Sequence, residues 1–319
     1  MFLYSFGAFI LGFALDLILG DPQGWPHIIR AYGWIIARFE RLLWPMRNKR
    51  RAGAVTIILV LLTCAVLPGA ALFAISRAVP PLYAALEALL VWQLLAVKSL
   101  RSESLLVYTA LASGNLVTAR RAASMIVGRD TQSVDEEGIA RAAVETVAEN
   151  TADGIAAPIL AIALFGSLGG MLVKAVSTMD SAIGYKNERY IDFGSAAAHL
   201  DDAVMHIPAR LCARMMILAA RLCGFDSGSA ARIYLRDRFN HASPNSAHTE
   251  AVMAGALGLR LAGPASYFGV MNDKPYIGDP ERKIEAEDIL RANRLSLVTA
   301  LLMFALGAVI RCGVTLVVL

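Results

Sequence analysis

The 319-residue chain is 57% hydrophobic and 18% charged, where soluble domains run at about 45–50% and about 25%. With a mean hydropathy of +0.55, this excludes a disordered chain and a disulfide scaffold, disfavours an ordinary cytosolic enzyme and points to a membrane protein. Thirty Lys and Arg against twenty-six Asp and Glu leave a formal charge of +4, without the clustered basic excess of a nucleic-acid binder. Cys64, Cys212, Cys223 and Cys312 form no C-x-x-C pair and sit in apolar stretches, so they read as small buried hydrophobes.

A bilayer-spanning helix takes roughly 20 mostly apolar residues. Residues 2–20, 52–76, 79–97 and 295–319 qualify. Residues 155–173 have nearly the length but contain Pro158, Gly166, Gly169 and Gly170, and are read as a re-entrant or protein-buried helix. Residues 211–223 are short and carry Arg214 and Arg221. Arg38, Arg41, Arg47, Lys49, Arg50 and Arg51 in the first loop, and Arg282, Lys283, Arg291 and Arg294 before the last span, place both flanks in the cytoplasm. The expectation is one all-α, polytopic membrane domain over residues 1–319, with about four transmembrane helices. A motif-rich helical region, 98–294, lies on the cytoplasmic side. No repeat of 20–50 residues runs along the chain.

Within that region Ser133 and Glu136 have capping-box spacing and open a helix. Glu145, Glu149 and Asp153 follow at i, i+4 and i+8, so a persisting helix sets three carboxylates on one face, beside Asn150 and Thr151. Such a row of oxygen ligands suits magnesium, which takes one or two carboxylates plus substrate phosphates. The alternative is that Thr151 or Asp153 caps the next helix. After the apolar stretch, Lys174, Lys186 and Arg189 cluster with Asp180, Tyr185, Asn187, Glu188 and Tyr190 around Gly184. Cations beside amides and hydroxyls fit a phosphate or carboxylate site, although a membrane-interface loop collects the same residues. Asp201 and Asp202 read as a helix start, with Asp202 a second metal contact, and Arg210 follows.

Pro244, Asn245 and Ser246 make a turn, and Ser246, Thr249 and Glu250 open a further helix. Its Ala and Gly content, with Gly255 and Gly258, suits either tight helix packing or a flat ligand. His241, His248 and Glu250 are acid/base candidates. No P-loop, G-x-G-x-x-G, H-E-x-x-H or G-x-S-x-G is present.

The blocks GDPQGWPHIIRAYG (20–33), GRDTQSVDEEGIARAAVETVAENTADGIAAP (128–158), VKAVSTMDSAIGYKNERYIDFG (173–194), HLDDAVMHIPARL (199–211) and HASPNSAHTEAVMAGALGLRLAGP (241–264) together resemble the CobD/CbiB family of adenosylcobinamide-phosphate synthases. These are integral membrane proteins of cobalamin biosynthesis. The blocks occur in family order, with departures at Ile28, Ser177, His199, His248 and Thr249, so no role is carried onto His199 or His248. The resemblance implies amide formation between (R)-1-amino-2-propanol phosphate and a propionate of adenosylcobyric acid, a cobalt corrinoid. ATP is the cosubstrate and Mg2+ the metal. Expected catalytic groups are Glu145, Glu149, Asp153, Lys174, Lys186, Glu250 and His241, and the expected metal ligands are Glu145, Glu149, Asp153, Asp180 and Asp202. Asn150, Thr151, Asp180, Tyr185, Asn187, Arg189, Tyr190, Arg210 and Asn245 are expected to bind substrate. The resemblance also implies an inner-membrane location, an active site facing the cytoplasm, and late cobalamin-pathway membrane enzymes as neighbours, with no nucleic acid. The position of ATP is not marked by any motif. The competing classes are a membrane corrinoid or anion transporter and an AmpE-like membrane sensor.

Overall fold

A computed structural model describes residues 2–318 apart from residues 23, 186 and 268. In chain order the helices are α1 (Phe2–Leu19), α2 (Ile28–Leu43), α3 (Lys49–Ala78), α4 (Pro80–Leu94), α5 (Val97–Ala112), α6 (Leu116–Ser124), α7 (Glu136–Phe165), α8 (Ser167–Ile183), α9 (Ser195–Leu222), α10 (Ser227–Asp237) and α11 (Ser246–Leu257). Four short strands follow: β1 (Leu261–Ala262), β2 (Ala265–Tyr267), β3 (Val270–Asn272) and β4 (Tyr276–Ile277). Helix α12 (Glu287–Val318) closes the chain. β1 pairs antiparallel with β4, and β2 with β3.

Five helical runs among the described residues are long and apolar enough to cross a bilayer: Lys49–Ala78, Pro80–Ala112, Glu136–Phe165, Ser195–Leu222 and Glu287–Val314. The chain is a multi-pass, all-α membrane protein, as expected, but the runs are not all where hydropathy put them. The stretch 79–97 is the first half of a longer run that steps at residues 95 and 96. The short 211–223 segment is the end of the 28-residue α9. The stretch 155–173 is two helices, because Gly166 at φ +68 ends α7 and lets α8 begin at Ser167. The apolar window of α7 is 72% buried inside the protein, a larger share than in the other four runs.

Two π-turns interrupt the helices, Leu62–Val66 in α3 and Thr151–Ala156 in α7. Each ends two residues before a proline, Pro68 and Pro158. A proline removes one i→i−4 bond and crowds the carbonyl four residues back, and a widened turn relieves that contact. Helix α7 starts later than the capping box implied. Asp135, with extended backbone, is its N-cap and accepts the Gly138 N–H at 2.9 Å. Asp201 and Asp202 lie inside α9 rather than at a helix start, because α9 begins at Ser195.

The chain divides into two compact units, Met1–Ala96 with Ala157–Met205 and Phe304–Leu319, and Val97–Ala156 with His206–Met303. In the first, Phe9 and Phe13 of α1 pack on Phe304 with ring centroids 4.9 and 4.0 Å apart. Tyr32 and Ile36 of α2, Ala52, Ile57 and Val60 of α3, and Val176 and Met179 of α8 form a core with Phe193. Burying each large apolar side chain contributes about 1.5–3 kcal/mol. The 184–194 segment reaches this core because Gly53 has no side chain: a Cβ there would stand 1.8 Å from the Phe193 carbonyl oxygen. In the second unit α10 and α11 meet backbone to backbone, since a Cβ on Gly255 would stand 2.6 Å from the Ser229 carbonyl oxygen. Of the two readings of the Ala/Gly-rich helix, close helix packing is the one the fold adopts. Cys64, Cys212 and Cys223 are buried and unbridged, as their apolar settings imply.

Candidate active site

In the second unit a cavity of about 110 Å3 is walled on one side by Glu145, Thr146, Glu149 and Asn150 of α7 and Glu250 of α11. His241, Arg129, Tyr267 and Lys274 line the rest, with the backbone around residues 262–263. The helical spacing of Glu145 and Glu149 puts both on one face, as i and i+4 must. Glu145 is fully engaged: one carboxylate oxygen lies 3.0 Å from the Arg129 guanidinium, and the other accepts the Ala262 N–H at 2.7 Å. Glu149 accepts from the Ser246 hydroxyl at 2.8 Å. Glu250, only 4% exposed, has its pKa raised well above the usual carboxylate range, first by burial and then by Glu149 and Glu145. Lys274 and Arg129 oppose that rise.

Burial also pushes the His241 pKa down, against the pull of Glu149. Its Nδ1 accepts the Ser243 N–H at 3.0 Å. A neutral imidazole that accepts at Nδ1 carries its proton at Nε2, so His241 offers the cavity a donor rather than a base. The far wall is fixed by Asp130, whose N–H donates to the Ser266 carbonyl at 2.9 Å and whose carboxylate accepts the Ser266 hydroxyl at 2.5 Å and the Gly269 N–H at 2.8 Å. This ties the β2–β3 hairpin in place. Lys274 donates to the Tyr267 hydroxyl at 2.5 Å and lies 4.5 Å from the ring centroid.

Of the residues singled out in the sequence, the fold gathers Glu145, Glu149, Asn150, His241 and Glu250 in this cavity. Asp153 does not line it, because the π-turn at Thr151–Ala156 breaks the i, i+4, i+8 row. Thr151 is buried, donates to the Val147 carbonyl at 2.6 Å and bonds the Ser296 hydroxyl at 2.7 Å, which is a helix-packing role. Neither Thr151 nor Asp153 caps a new helix, since α7 continues through both. Arg210 donates to the His206 carbonyl and, at 3.1 Å, to Asn245, outside the cavity lining.

Lys174, Asp180, Tyr185, Asn187, Arg189, Tyr190 and Asp202 belong to the first unit, and Lys186 lies outside the described residues. There Arg189 and the Tyr190 hydroxyl both donate to Glu40, at 2.8 and 3.0 Å. The Arg189 guanidinium lies 4.7 Å from the Trp44 ring centroid. Asn187 accepts the Tyr190 N–H and closes the turn. Burial and then the Glu40 hydrogen bond raise the Tyr190 pKa. Lys174 is buried within α8. Among the described residues no group of three or more His, Cys, Asp and Glu is arranged to hold a metal.

Sequence reading missed Arg129, Tyr267 and Lys274. Arg129 and Asp130 stand in the quoted 128–158 block, where a cation before an acidic helix was the available signal. Tyr267 ends the three-residue β2, and Lys274 lies in the irregular segment between β3 and β4, with no periodicity to read in either.

Fold and cavity define a multi-pass helical membrane protein with an acid-rich cavity in its second unit. The sequence profile of the CobD/Cbib protein family matches residues 9–296, and the chain belongs to that family. It is 47% identical over 294 residues to the cobalamin biosynthesis protein CobD of Pelobacter propionicus, covering 92% of this chain and 91% of that one. Identity is 42% to the cobalamin biosynthesis protein CobD of Clostridium perfringens (95% and 97% covered) and 40% to the cobalamin biosynthesis protein CbiB of Salmonella typhi (97% and 98% covered). No solved structure matches the chain.

Proposed function

We propose that this protein is a cobalamin-biosynthesis enzyme that forms an amide between (R)-1-amino-2-propanol phosphate and a propionate of adenosylcobyric acid, using ATP and Mg2+ on the cytoplasmic face of the inner membrane. The family and the names of its relatives support the pathway. The observation that supports the chemistry is the second-unit cavity, where three carboxylates, two cations and a neutral imidazole converge.

A propionate carboxylate is a poor electrophile until one oxygen is converted to a leaving group. Transfer of the ATP terminal phosphoryl to that oxygen gives an acyl phosphate and ADP. The amine then attacks the carbonyl carbon, phosphate leaves, and the ammonium proton passes to a base. Glu149, with Glu145 one turn away, would supply the one or two carboxylates that magnesium takes, and phosphate oxygens and water would supply the rest. When bound, the metal would neutralise phosphate charge. Glu149 is the better ligand of the two, because both oxygens of Glu145 are already engaged. Glu250, with its raised proton affinity, suits the proton acceptor. His241, donating from Nε2, suits the developing carbonyl oxyanion. Lys274 and Arg129 supply positive charge towards the phosphate. The first-unit residues Lys174, Asp180, Arg189 and Asp202 enter this reading only through the resemblance, as phosphate, corrinoid or second-metal contacts.

The test is turnover by the full chain in nanodiscs, with adenosylcobyric acid, aminopropanol phosphate and Mg2+, and the amide product read by mass spectrometry. ATP-dependent product is expected. Product without ATP would retain the substrate pair and overturn the energy source. Corrinoid transport across a bilayer, with no amide formed, would replace the enzyme with a transporter.

A further inference from the structure

Between residues 28 and 51 the chain carries seven Lys and Arg against one acid, Glu40, which is already occupied by Arg189 and Tyr190. Helix α2 buries Tyr32 and Ile36 in the first-unit core. Its opposite face is Arg30, Trp34, Arg38 and Arg41, all exposed. These fall at i, i+4, i+8 and i+11, a single stripe of the helix. Trp34 is 70% exposed in the middle of it. A large aromatic ring left in water among arginines gains nothing from folding alone.

After α2 the chain turns, and Lys49 opens the 30-residue apolar run of α3. Arg47, Arg50 and Arg51 therefore stand where that run enters the bilayer, since charged side chains do not enter the hydrocarbon cheaply. Lys49 is folded onto Trp44, donating to its carbonyl and lying 4.5 Å from its ring centroid. Arg50 meets Asp192 at 2.8 Å with both side chains exposed, a pair worth little in water. The stripe on α2 is thus continuous with the membrane entry of α3. Tryptophan prefers the headgroup level, and clustered Lys and Arg there attract anionic lipids.

We propose that the exposed face of α2 and the turn into α3 form a docking surface for anionic phospholipid headgroups, with Trp34 seated among them. The full chain is reconstituted in nanodiscs of phosphatidylcholine and phosphatidylglycerol, with bromine near the headgroup on one lipid or the other. The share of tryptophan quenching that disappears in Trp34→Phe reports the lipid touching Trp34. One basic residue at a membrane surface is worth about fivefold in lipid affinity. Brominated phosphatidylglycerol is therefore expected to quench that share at least about fivefold more than brominated phosphatidylcholine. The preference is expected to vanish in the Arg30→Gln, Arg38→Gln, Arg41→Gln variant, and in the unsubstituted chain at about 0.5 M salt. Equal quenching by the two lipids, or no share lost in Trp34→Phe, would overturn the proposal. So would a preference that persists at high salt in the unsubstituted chain.

Discussion

In the first unit, Arg189, Tyr190 and Glu40 satisfy one another beside Trp44, and the loop that carries them is pinned by the close approach of Gly53 to Phe193. In the second unit, Glu145, Glu149 and Glu250 are gathered into one cavity, where burial, and then Glu149 and Glu145, raise the proton affinity of Glu250. Both regions read in the sequence as mixtures of acids, bases, amides and hydroxyls. The first is a set of matched partners, as a structural network requires. The second holds like charges together at a cost in stability, and such a cost persists where a ligand relieves it. On this contrast we propose that the chemistry lies in the second unit and that the Arg189–Tyr190–Glu40 network is structural.

The largest effect that would break this contrast is loss of Glu149. Glu149→Gln keeps the shape and its hydrogen bond to Ser246 but removes a charge. Turnover is expected to fall by about 10²–10³, with a weaker magnesium requirement in a titration against Mg2+. Unchanged turnover and unchanged magnesium dependence would remove the acidic cavity from the chemistry.

Next is the packing that pins the first-unit loop. Gly53→Ala places a methyl group against the Phe193 carbonyl, which cannot move without lifting the 184–194 segment from α3. A loss of about 1–3 kcal/mol in stability is expected, read by thermal melting in nanodiscs. Gly255→Ala should cost a similar amount in the second unit, by separating α10 from α11.

A smaller and pH-dependent effect belongs to Glu250. Its folded pKa is raised above the ordinary value of 4.5, so the folded state binds more protons than the unfolded chain. Stability contributed by the protonated form is present below the unfolded pKa and is lost as pH rises towards the folded value. Glu250→Gln fixes the neutral form. Relative to the parent, it is expected to gain stability as pH rises from 5 to 8, by at most about 1.4 kcal/mol per pH unit. Equal pH slopes for parent and variant would show that Glu250 carries no strained charge.

Much of this arrangement was legible before the fold was known. The i, i+4 spacing of Glu145 and Glu149 is enough to pair them, and the turn at Pro244 and Asn245 is enough to start the helix that brings Glu250. Asp153 leaves the row because helical periodicity assumes 3.6 residues per turn throughout, and the chain takes a wider turn at Thr151–Ala156, just ahead of Pro158. Gly166 was seen as a weakness in one segment, whereas its positive φ makes it the boundary between two. Lys274 and Arg129 reach the cavity from irregular segments, Lys274 between β3 and β4 and Arg129 ahead of α7. Sequence patterning there has no period, and only tertiary pairing fixes where a side chain points.

The smallest expected effect is the one that tests the scaffold side of the comparison. Arg189→Gln removes a cation that the sequence marks as a phosphate ligand, while the fold commits it to Glu40 and Trp44. The side chain is 60% exposed, and exposed ion pairs contribute little. The KM for aminopropanol phosphate and kcat are therefore expected to stay within about threefold, with the melting temperature nearly unchanged. Tyr190→Phe, which deletes the second donor to Glu40, should behave alike, and the double variant should show their coupling through Glu40 in stability and not in KM. A tenfold or greater rise in KM confined to the phosphate substrate would mean that Arg189 exchanges Glu40 for substrate. The loop would then join the binding machinery, and the contrast between a matched network and a strained cavity would no longer separate scaffold from chemistry.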